Sequence, residues 1–422
     1  MSHVSSEARR PVLGTTASLG LLASLVVSFL AASAVPTPLY PVYQAEWGFS
    51  PITTTIVFGV YAVAVLVALL VLGRISDHVG RRPVLLAGLL GQVASMVVFA
   101  TATGVPELMV ARVVQGIATG AALGAVGAGL LDLDRARGTV ANAVAPGLGT
   151  ASGALLSSLV VQFLPAPTHL VYLAAIAVFV FQGVGVLLMR ETVTRAPGAV
   201  RSMVPELALP TSSRRAIFAA APVLFSVWAL AGFYAALGPA ILRVVTGSST
   251  LVLGGLGLFT IAGVAAVAVY VLRDADPHAV MRLGIVALII GVGITLLGLD
   301  LGSTTVFFVG TAIAGVGFGS GFQGGIRTVM PLPLPHERAG VLSVLYVVSY
   351  LGMGLPAVVA GFLVVDGGGL VETAYEYGFA VIALALVALV AMSRRTPVTA
   401  EQSSDDVLEE DARELCSTQV AS

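Results

Sequence analysis

The stretch Gly73-Arg-Ile-Ser-Asp-His-Val-Gly-Arg-Arg82 decides the fold, because it is a short charged loop between two long apolar runs. Its charges stand out in a chain of 422 residues, of which 57% are hydrophobic and only 10% are charged. Soluble domains have roughly 45–50% apolar and about 25% charged residues. So few charges cannot cover a surface in water. We therefore expect the loop to join two antiparallel helices at one face of a membrane.

The apolar runs predict twelve membrane-spanning helices, since one crossing needs about 20 mostly apolar residues. The predicted spans are residues 16–38, 51–72, 83–104, 106–130, 138–162, 168–189, 216–240, 251–272, 281–300, 304–328, 339–364 and 373–393. The first run follows Arg9 and Arg10, but it is longer than the ~7–15 residues of a signal-peptide core, so we expect it to be retained. The sequence thus predicts an all-α membrane protein.

The placement of arginine predicts the orientation of the spans. Basic residues concentrate in cytoplasmic loops. With twelve spans and both termini on one side, the loops of that side hold nearly all the arginines. The opposite loops hold only one, together with five acids: Arg243, Glu46, Glu107, Asp300, Asp366 and Glu372. We expect a multi-pass protein of a bacterial cell membrane with both termini in the cytoplasm.

The longest polar interval between spans, Glu191–Arg215, divides the chain into two halves of six spans. We expect a cytoplasmic segment at residues 1–15, a six-helix bundle at 16–190, a cytoplasmic linker at 191–215, a second bundle at 216–393 and an acidic disordered tail at 394–422. The loop Arg273–Arg282 holds the place in the second half that Gly73–Arg82 holds in the first. Two pseudo-symmetric halves with a site between them are the layout of many secondary transporters.

The charged loop resembles the signature loop of the major facilitator superfamily, Gly-x-x-x-Asp-(Arg/Lys)-x-Gly-Arg-(Arg/Lys). The matching residues are Gly73, Asp77, Gly80, Arg81 and Arg82, while His78 replaces the usual basic residue. The resemblance covers residues 16–395 and implies transport by alternating access. It also implies that the five matching residues form a conformational latch that stabilises the outward-facing state. Asp132 and Asp134 are candidate extra partners, and the alternative is that the arginines serve only as topology signals.

Arg112 is an arginine inside an apolar span, which is costly and marks a functional hypothesis. It lies one or two turns from the outer end of the fourth span, where snorkelling would relieve part of that cost. The run Arg112-Val-Val-Gln115-Gly116 resembles the Arg-x-x-Gln-Gly motif of the twelve-span drug:proton antiporters within the superfamily. The resemblance implies proton coupling at these three residues, and a structural anchor is the alternative.

The fifth span contains Ala145-Pro-Gly-Leu-Gly149 and then Gly153. It partly resembles the Gly-Pro-x-x-Gly-Gly motif of the same exporters, which implies an antiporter-like helix at Pro146, Gly149 and Gly153. Glycines let helices approach closely and proline kinks a span, so ordinary close packing is the alternative.

Polar and aromatic residues of both halves predict a substrate cavity. Three prolines in Val35-Pro-Thr-Pro-Leu-Tyr-Pro41 predict that the first span unwinds at its outer end, as in the exporters it resembles. The candidate cavity residues are Tyr40, Tyr43, Gln44, Trp228, Tyr234, Gln323, Tyr346 and Tyr350. No predicted span has Asp or Glu at its centre, which favours neutral or amphipathic substrates over cations.

The sequence therefore predicts a monomeric, proton-coupled exporter of small amphipathic or drug-like compounds. Uptake of a sugar or organic acid, by symport or uniport, is the alternative. The chain has no Lys and no phosphate-binding loop, which argues against ATP hydrolysis. Since nucleophiles, bases and metal ligands are not clustered, an enzyme or a sensor is disfavoured. We expect no cofactor, no metal ion and no nucleic-acid partner.

Overall fold

A computed structural model describes residues 13–248 and 250–393, and within them the regular structure is entirely helical. The expected tail, and most of the expected N-terminal segment with Arg9 and Arg10, lie outside the described residues. The twelve long helices are α1 (Thr15–Ala34), α2 (Pro51–Leu72), α3 (Arg81–Ala100), α4 (Val105–Leu133), α5 (Arg135–Phe163), α6 (Pro167–Leu188), α7 (Thr211–Ala236), α8 (Leu251–Val271), α9 (Pro277–Asp300), α10 (Thr304–Val329), α11 (Arg338–Asp366) and α12 (Gly369–Ser393).

The predicted count is confirmed, because the described part of the chain has 12 helices long and apolar enough to cross a membrane. Several helices extend beyond the expected spans. The polar segment predicted between the fourth and fifth spans shrinks to Asp134, whose side chain accepts a hydrogen bond from the Arg137 amide and starts α5. Helices continue into the polar boundary because this capping satisfies the first amides there.

The first span unwinds at its outer end, as its prolines predict. After Ala34 the chain forms a 3-10 turn at Thr37–Leu39 and then a short helix at Tyr40–Trp47. Proline lacks an amide hydrogen and cannot continue the ladder of the preceding helix. Further short helices cover Ser76–Val79, Ala199–Ser202 and Gly238–Thr246.

Successive long helices run antiparallel, so the bundle has two ends. We call the end that holds Gly73–Arg82 the motif face and the other end the opposite face. Helices α2, α4, α6, α8 and α10 finish at the motif face. The linker that follows α6 lies there too, since Arg74 contacts Glu206.

The buried apolar residues form two clusters, one for each half of the chain. The first gathers residues of α1 to α6, such as Phe29, Phe99 and Phe179. The second is centred on α7 to α12 and also takes in Phe58 and Ala62 of α2. Each half therefore has its own core, and α2 contributes to the core of the other half.

The two bundles contact each other along two helix pairs, α2 with α11 and α5 with α8. A Cβ atom at Gly354 would lie 3.1 Å from the Ala62 Cβ, and one at Gly147 would lie 2.9 Å from the Ala266 Cβ. Gly361 faces Thr55 in the same way. The α2 contacts with α11 run from the middle of the helices to the opposite face. Helices α5 and α8 meet on the motif-face side of α8 at Gly147 and Ala266 and again near the opposite face at Ser158 and Gly255, so this conformation is closed at the opposite face.

Small residues also bring neighbouring helices within each bundle into backbone contact. Gly284 of α9 lies against Gly321 of α10, so that an added Cβ would overlap the backbone of α10. Gly293, two and a half turns further along α9, has no atom of another residue near its Cβ position. Close packing therefore requires a glycine at Gly284 but not at Gly293 of the same helix.

We expect Gly284→Ala to lower the thermal midpoint of the purified protein, because overpacking a close contact costs about 1–3 kcal/mol. Gly293→Ala is the matched control and should leave the midpoint unchanged or slightly higher. Unfolding followed by intrinsic fluorescence checks both. Equal midpoints for the two variants would contradict the close contact of α9 with α10.

Candidate functional site

The charged loop folds onto the first bundle around Arg81. The turn depends on Gly80, whose φ of 101° is a conformation that residues with a side chain rarely adopt. The buried Arg81 donates to the Ser76 hydroxyl at 2.7 Å and pairs with Asp77. Its Nε lies 3.2 Å from Oδ2 of Asp132, so the expected partnership of Asp132 is confirmed. Asp77, Arg81 and Asp132 thus form one charge cluster where α2, α3 and α4 meet.

The start of α3 is held by Glu191, which sequence reasoning did not place in the loop. Its Oε1 accepts from the Arg81 amide at 2.8 Å and its Oε2 from the Arg82 amide at 3.1 Å. The first amides of a helix have no partner within the helix and favour a negative charge. Glu191 follows α6, so this carboxylate ties the end of the first bundle to the start of α3.

The other loop residues bind the end of α6 and the linker. Arg82 donates to the Val186 and Leu187 carbonyls at 3.1 and 2.6 Å, which caps the last turn of α6. Arg74 lies 2.5 Å from Glu206 of the linker. The hydrogen bond from Arg74 lowers the pKa of the Glu206 carboxyl below its usual value, although the carboxyl is largely exposed. Gly73 packs against Gly124 of α4, where a Cβ would lie 2.6 Å from the Gly73 carbonyl oxygen.

Arg112 is fully buried inside the first bundle, at 0% exposure, so the snorkelling expected from its sequence position is wrong. Its guanidinium donates to the Tyr40 hydroxyl at 2.6 and 3.1 Å and to the Ser33 carbonyl at 2.9 Å. It also donates to Oε1 of Gln115 at 2.7 Å. The side chain turns inward because α1 supplies these acceptors at the point where it unwinds.

Aromatic rings complete the surroundings of the guanidinium. Its carbon lies 5.1 Å from the ring centre of Tyr61 and 5.7 Å from those of Tyr40 and Phe99. Within the described part of the chain, no carboxylate pairs with Arg112. Hydroxyl, amide, carbonyl and ring contacts therefore surround a positive charge that they do not neutralise.

The neighbours of Arg112 in the predicted motif have separate roles. Gln115 donates to the Ala32 carbonyl at 3.0 Å and thereby links α4 to α1. Gly116 is a packing residue, since a Cβ there would lie 2.6 Å from the Ala64 Cβ and 2.9 Å from the Tyr61 carbonyl. The close approach of α4 to α2 at Gly116 brings the Tyr61 ring to the guanidinium.

The antiporter-like residues of α5 face other helices. Gly149 and Gly153 pack against the α1 backbone at Val27 and Ala31. Gly147, just before them, packs against Ala266 of the second bundle, and Ala151, between them, faces Gly263 there. Pro146 lies inside α5, which continues as a helix through it. This part of α5 therefore packs on α1 and on the second bundle at the same level.

The structure corrects the expected positions of the first-half cavity residues. Tyr40 and Tyr43 are each 2% exposed and lie in the core of the first bundle. Tyr43 hydrogen-bonds the Tyr172 hydroxyl at 3.0 Å, and its ring stacks on Trp47. Gln44 is half-buried on the short helix. The 3-10 turn rotates the following helix, and this directs both tyrosines inward.

The second-half candidates include an aromatic cluster, formed by Trp228, Phe318, Phe322 and Tyr350. The Trp228 ring stacks on Tyr350 at 5.7 Å and meets Phe318 and Phe322 edge-on at 5.5 and 5.4 Å. Nε1 of Trp228 is buried without a hydrogen-bond partner among the described residues. An indole nitrogen of this kind normally finds an acceptor when buried, so it is a donor available to a bound molecule.

The helix that carries Tyr346 and Tyr350 packs against α2 of the first bundle, where Gly354 faces Ala62. Tyr61 of α2 contacts the Arg112 guanidinium. The aromatic cluster and Arg112 are therefore linked through the α2–α11 helix pair. Sequence reasoning missed Tyr61, Phe318 and Phe322, and the only signal for the two phenylalanines is their spacing of four residues along a glycine-rich helix.

The two remaining candidates lie deeper in the second bundle. Tyr234 hydrogen-bonds Thr311 at 2.7 Å and belongs to the buried core. Gln323 donates to the Val269 carbonyl of α8 at 3.1 Å, and its Oε1 has no partner among the described residues. Both side chains link helices of this bundle.

Twelve spans in two bundles, with a charge cluster at one face of the first bundle and an aromatic cluster in the second, are the architecture of a membrane transporter. A family model described as Major Facilitator Superfamily matches residues 21–355. The chain belongs to the major facilitator superfamily. It is a multi-pass transporter of a small molecule and not an enzyme.

The curated relatives that the chain matches include a drug resistance protein and a multidrug transporter. A class C tetracycline resistance protein of Escherichia coli is 33% identical over 186 residues, which are 42% of this chain and 46% of that protein. A major facilitator superfamily multidrug transporter of Aspergillus fumigatus is 50% identical over 48 residues, 11% of this chain and 8% of that protein. The chain thus matches less than half the length of each relative.

Solved structures with the same fold include transporters with other substrates. A variant of the nucleoside transporter NupG has a TM-score of 0.69 at 14% identity, over 90% of this chain and 100% of that one. The human organic anion transporter MFSD10 (TETRAN) has a TM-score of 0.64 at 17% identity, over 90% and 100% of the two chains. At these identities the likeness establishes the fold alone.

We expect Glu191→Ala to lower the thermal midpoint, because the first amides of α3 lose a charged acceptor worth about 0.5–2 kcal/mol. Glu46→Ala, at an exposed glutamate of the opposite face, is the matched control and should leave the midpoint in place. The thermal midpoints of the two variants, measured by thermal unfolding, test whether Glu191 stabilises the start of α3. A midpoint for Glu191→Ala equal to that of the control would mean that the carboxylate does not hold α3.

Proposed function

We propose that this transporter exports small amphipathic organic molecules in exchange for protons. The observation that carries the proposal is the aromatic cluster of the second bundle with its unpaired Trp228 donor, together with the acid-free Arg112 site of the first bundle. Such a surface favours neutral, flat molecules that carry a hydrogen-bond acceptor. The identity to the tetracycline resistance protein supports the export direction.

Arg112 is the residue we propose for proton coupling, with Gln115 positioning it. A proton carrier near an uncompensated guanidinium feels a positive potential that favours its deprotonated form. Tyr61 contacts Arg112 and lies on α2, which packs against α11, the helix of Tyr350. Substrate at the aromatic cluster would be sensed at the guanidinium through this helix pair.

The latch is proposed to act through Asp77, Arg81 and Asp132. In this conformation these side chains pair with one another inside the first bundle. Closure of the motif face would bring the second bundle to this cluster, where the charges gain new partners. The linker, held to Arg74 through Glu206, would follow the first bundle in that movement.

The arginine asymmetry supports a cell-membrane protein with the motif face in the cytoplasm. The conformation described here would then be the one that loads substrate from the inside. The expected domains, with bundles at 16–190 and 216–393 joined by a linker at 191–215, fit an alternating movement of two halves.

Proteoliposomes with an internal pH indicator test the coupling. With neutral, cationic and anionic compounds added in turn, we expect neutral amphipathic compounds to move protons in the direction opposite to their own movement. Arg112→Gln should abolish this proton movement, while Arg282→Gln, an exposed arginine of the motif face, should retain it. Folding of each variant is checked by size-exclusion chromatography.

Other outcomes of the same assay contradict the proposal in distinct ways. Movement of compound and protons in the same direction would identify uptake by symport. Compound flux without proton movement, or coupling retained in Arg112→Gln, would exclude the role of Arg112.

Fluorescence tests the aromatic cluster, because the chain has only two tryptophans. In Trp47→Phe, Trp228 is the only tryptophan, and we expect saturable quenching of its fluorescence by a transported aromatic compound. In Trp228→Phe, where Trp47 remains, the compound should cause no quenching and its KM should rise about fivefold, the value of one lost hydrogen bond. Equal quenching of both variants would place the substrate elsewhere.

A further inference from the structure

A crevice of about 640 Å³ lies between the two bundles at the motif face. Its walls come from α1, α5 and α8, and are apolar along the stretch from Val140 to Leu148 of α5. Two arginines line it, Arg137 from the first bundle and Arg273 from the second. The crevice is thus an apolar slot with one cationic side chain from each half of the protein.

The crevice opens to lipid at the edge where the two bundles meet. Leu148 lines it and is 47% exposed. Leu156, Leu159 and Phe163 are exposed at helical spacing along the same side of α5, which makes that side the lipid-facing one. Gly149 of α5 lies beside this side of the helix and packs against Val27 of α1, which also lines the crevice. Acyl chains of the bilayer therefore have direct access to the slot.

The depth of the slot equals one leaflet of a bilayer. Arg137 is in the first turn of α5, and Leu148 follows eleven residues later, about 16 Å further along the helix axis. Half of a hydrocarbon core of about 30 Å is about 15 Å. With the arginines at the motif face, one acyl chain fills the slot from the polar boundary to the middle of the membrane.

The arginines retain donors for an anion. Arg273 lies over the Tyr270 ring at 4.3 Å and donates through Nη1 to the Tyr270 carbonyl, while its Nε lies 3.3 Å from Asp274. Nε of Arg137 lies 3.6 Å from Asp134, a carboxylate that already caps α5. In the described structure, both Nη atoms of Arg137 and Nη2 of Arg273 are without a protein partner. Exposed ion pairs of this kind are weak, so a phosphate competes with them readily.

We propose that the crevice is a binding site for an anionic phospholipid. The phosphodiester lies between Arg137 and Arg273, and one acyl chain runs along α5 as far as Leu148. Basic pockets between spans recognise anionic headgroups in this way. Since each bundle supplies one arginine, the bound lipid bridges the two bundles in the conformation that is closed at the opposite face. The site is independent of the transported substrate.

Thermal unfolding of the purified full chain in detergent tests the headgroup. Phosphatidylglycerol should raise the midpoint saturably, and phosphatidylcholine should not. The double variant R137Q/R273Q should need about 30-fold more phosphatidylglycerol, since each arginine contributes roughly fivefold near an anionic lipid. The matched control is R135Q/R282Q, which removes one exposed arginine from each half outside the crevice and should respond as the wild type does.

A second pair of variants tests the acyl chain without changing any charge. Leu148→Trp fills the slot and should remove the bound phosphatidylglycerol seen by native mass spectrometry. Leu156→Trp, on the same lipid-facing side but outside the slot, should retain it. The proposal is overturned if phosphatidylcholine stabilises the protein as strongly, if both double variants respond alike, or if Leu148→Trp keeps its lipid.

Discussion

Contact between helix backbones is the constraint on which the rest of this structure depends. Inside a bilayer the hydrophobic effect does not hold helices together, so they associate by close packing. Gly284 against Gly321, Gly153 against Ala31 and Gly116 against the Tyr61 carbonyl set the register of three helix pairs. The last of these pairs brings α2 to α4 at the level of Arg112. The polar contacts of the site are therefore consequences of where small residues let backbones meet.

Because water is absent from the bilayer, charged residues occur in two settings: paired at the motif face, or buried without an opposite charge. At the motif face, charges are paired and cap helix ends, as Arg81 does with Asp132 and Glu191 does with the amides of α3. Inside the first bundle, Arg112 keeps its charge among neutral acceptors and rings. A paired charge stabilises one arrangement of helices, whereas an unpaired buried charge responds to whatever charge or dipole approaches it. A paired charge therefore suits a structural role, and an unpaired buried charge suits a role in coupling.

The sequence predicted the features that depend on local composition. It did not predict side-chain orientations that depend on packing against helices distant in sequence. The number of spans, the unwinding after Ala34 and the pairing of Arg81 with Asp132 follow from hydropathy, proline chemistry and the meeting of adjacent loops. Glu191 was missed because it lies 110 residues further along the chain than the Arg81 amide that it binds. The inward direction of Tyr40 and Arg112 was missed because a 3-10 turn sets it, and hydropathy carries no signal for such a rotation.

The contacts between the bundles differ at the two faces of the protein. From the middle to the opposite face, glycines such as Gly354 and Gly361 interlock with the partner helix, and separation there would expose close-packed surfaces. At the motif face, Arg137 and Arg273 approach one crevice from different halves. Each of these arginines pairs weakly with a carboxylate of its own half, Asp134 or Asp274, so neither ion pair ties the halves together. The opposite face is thus held closed by packing, whereas at the motif face the proposed lipid would be the link between the two halves.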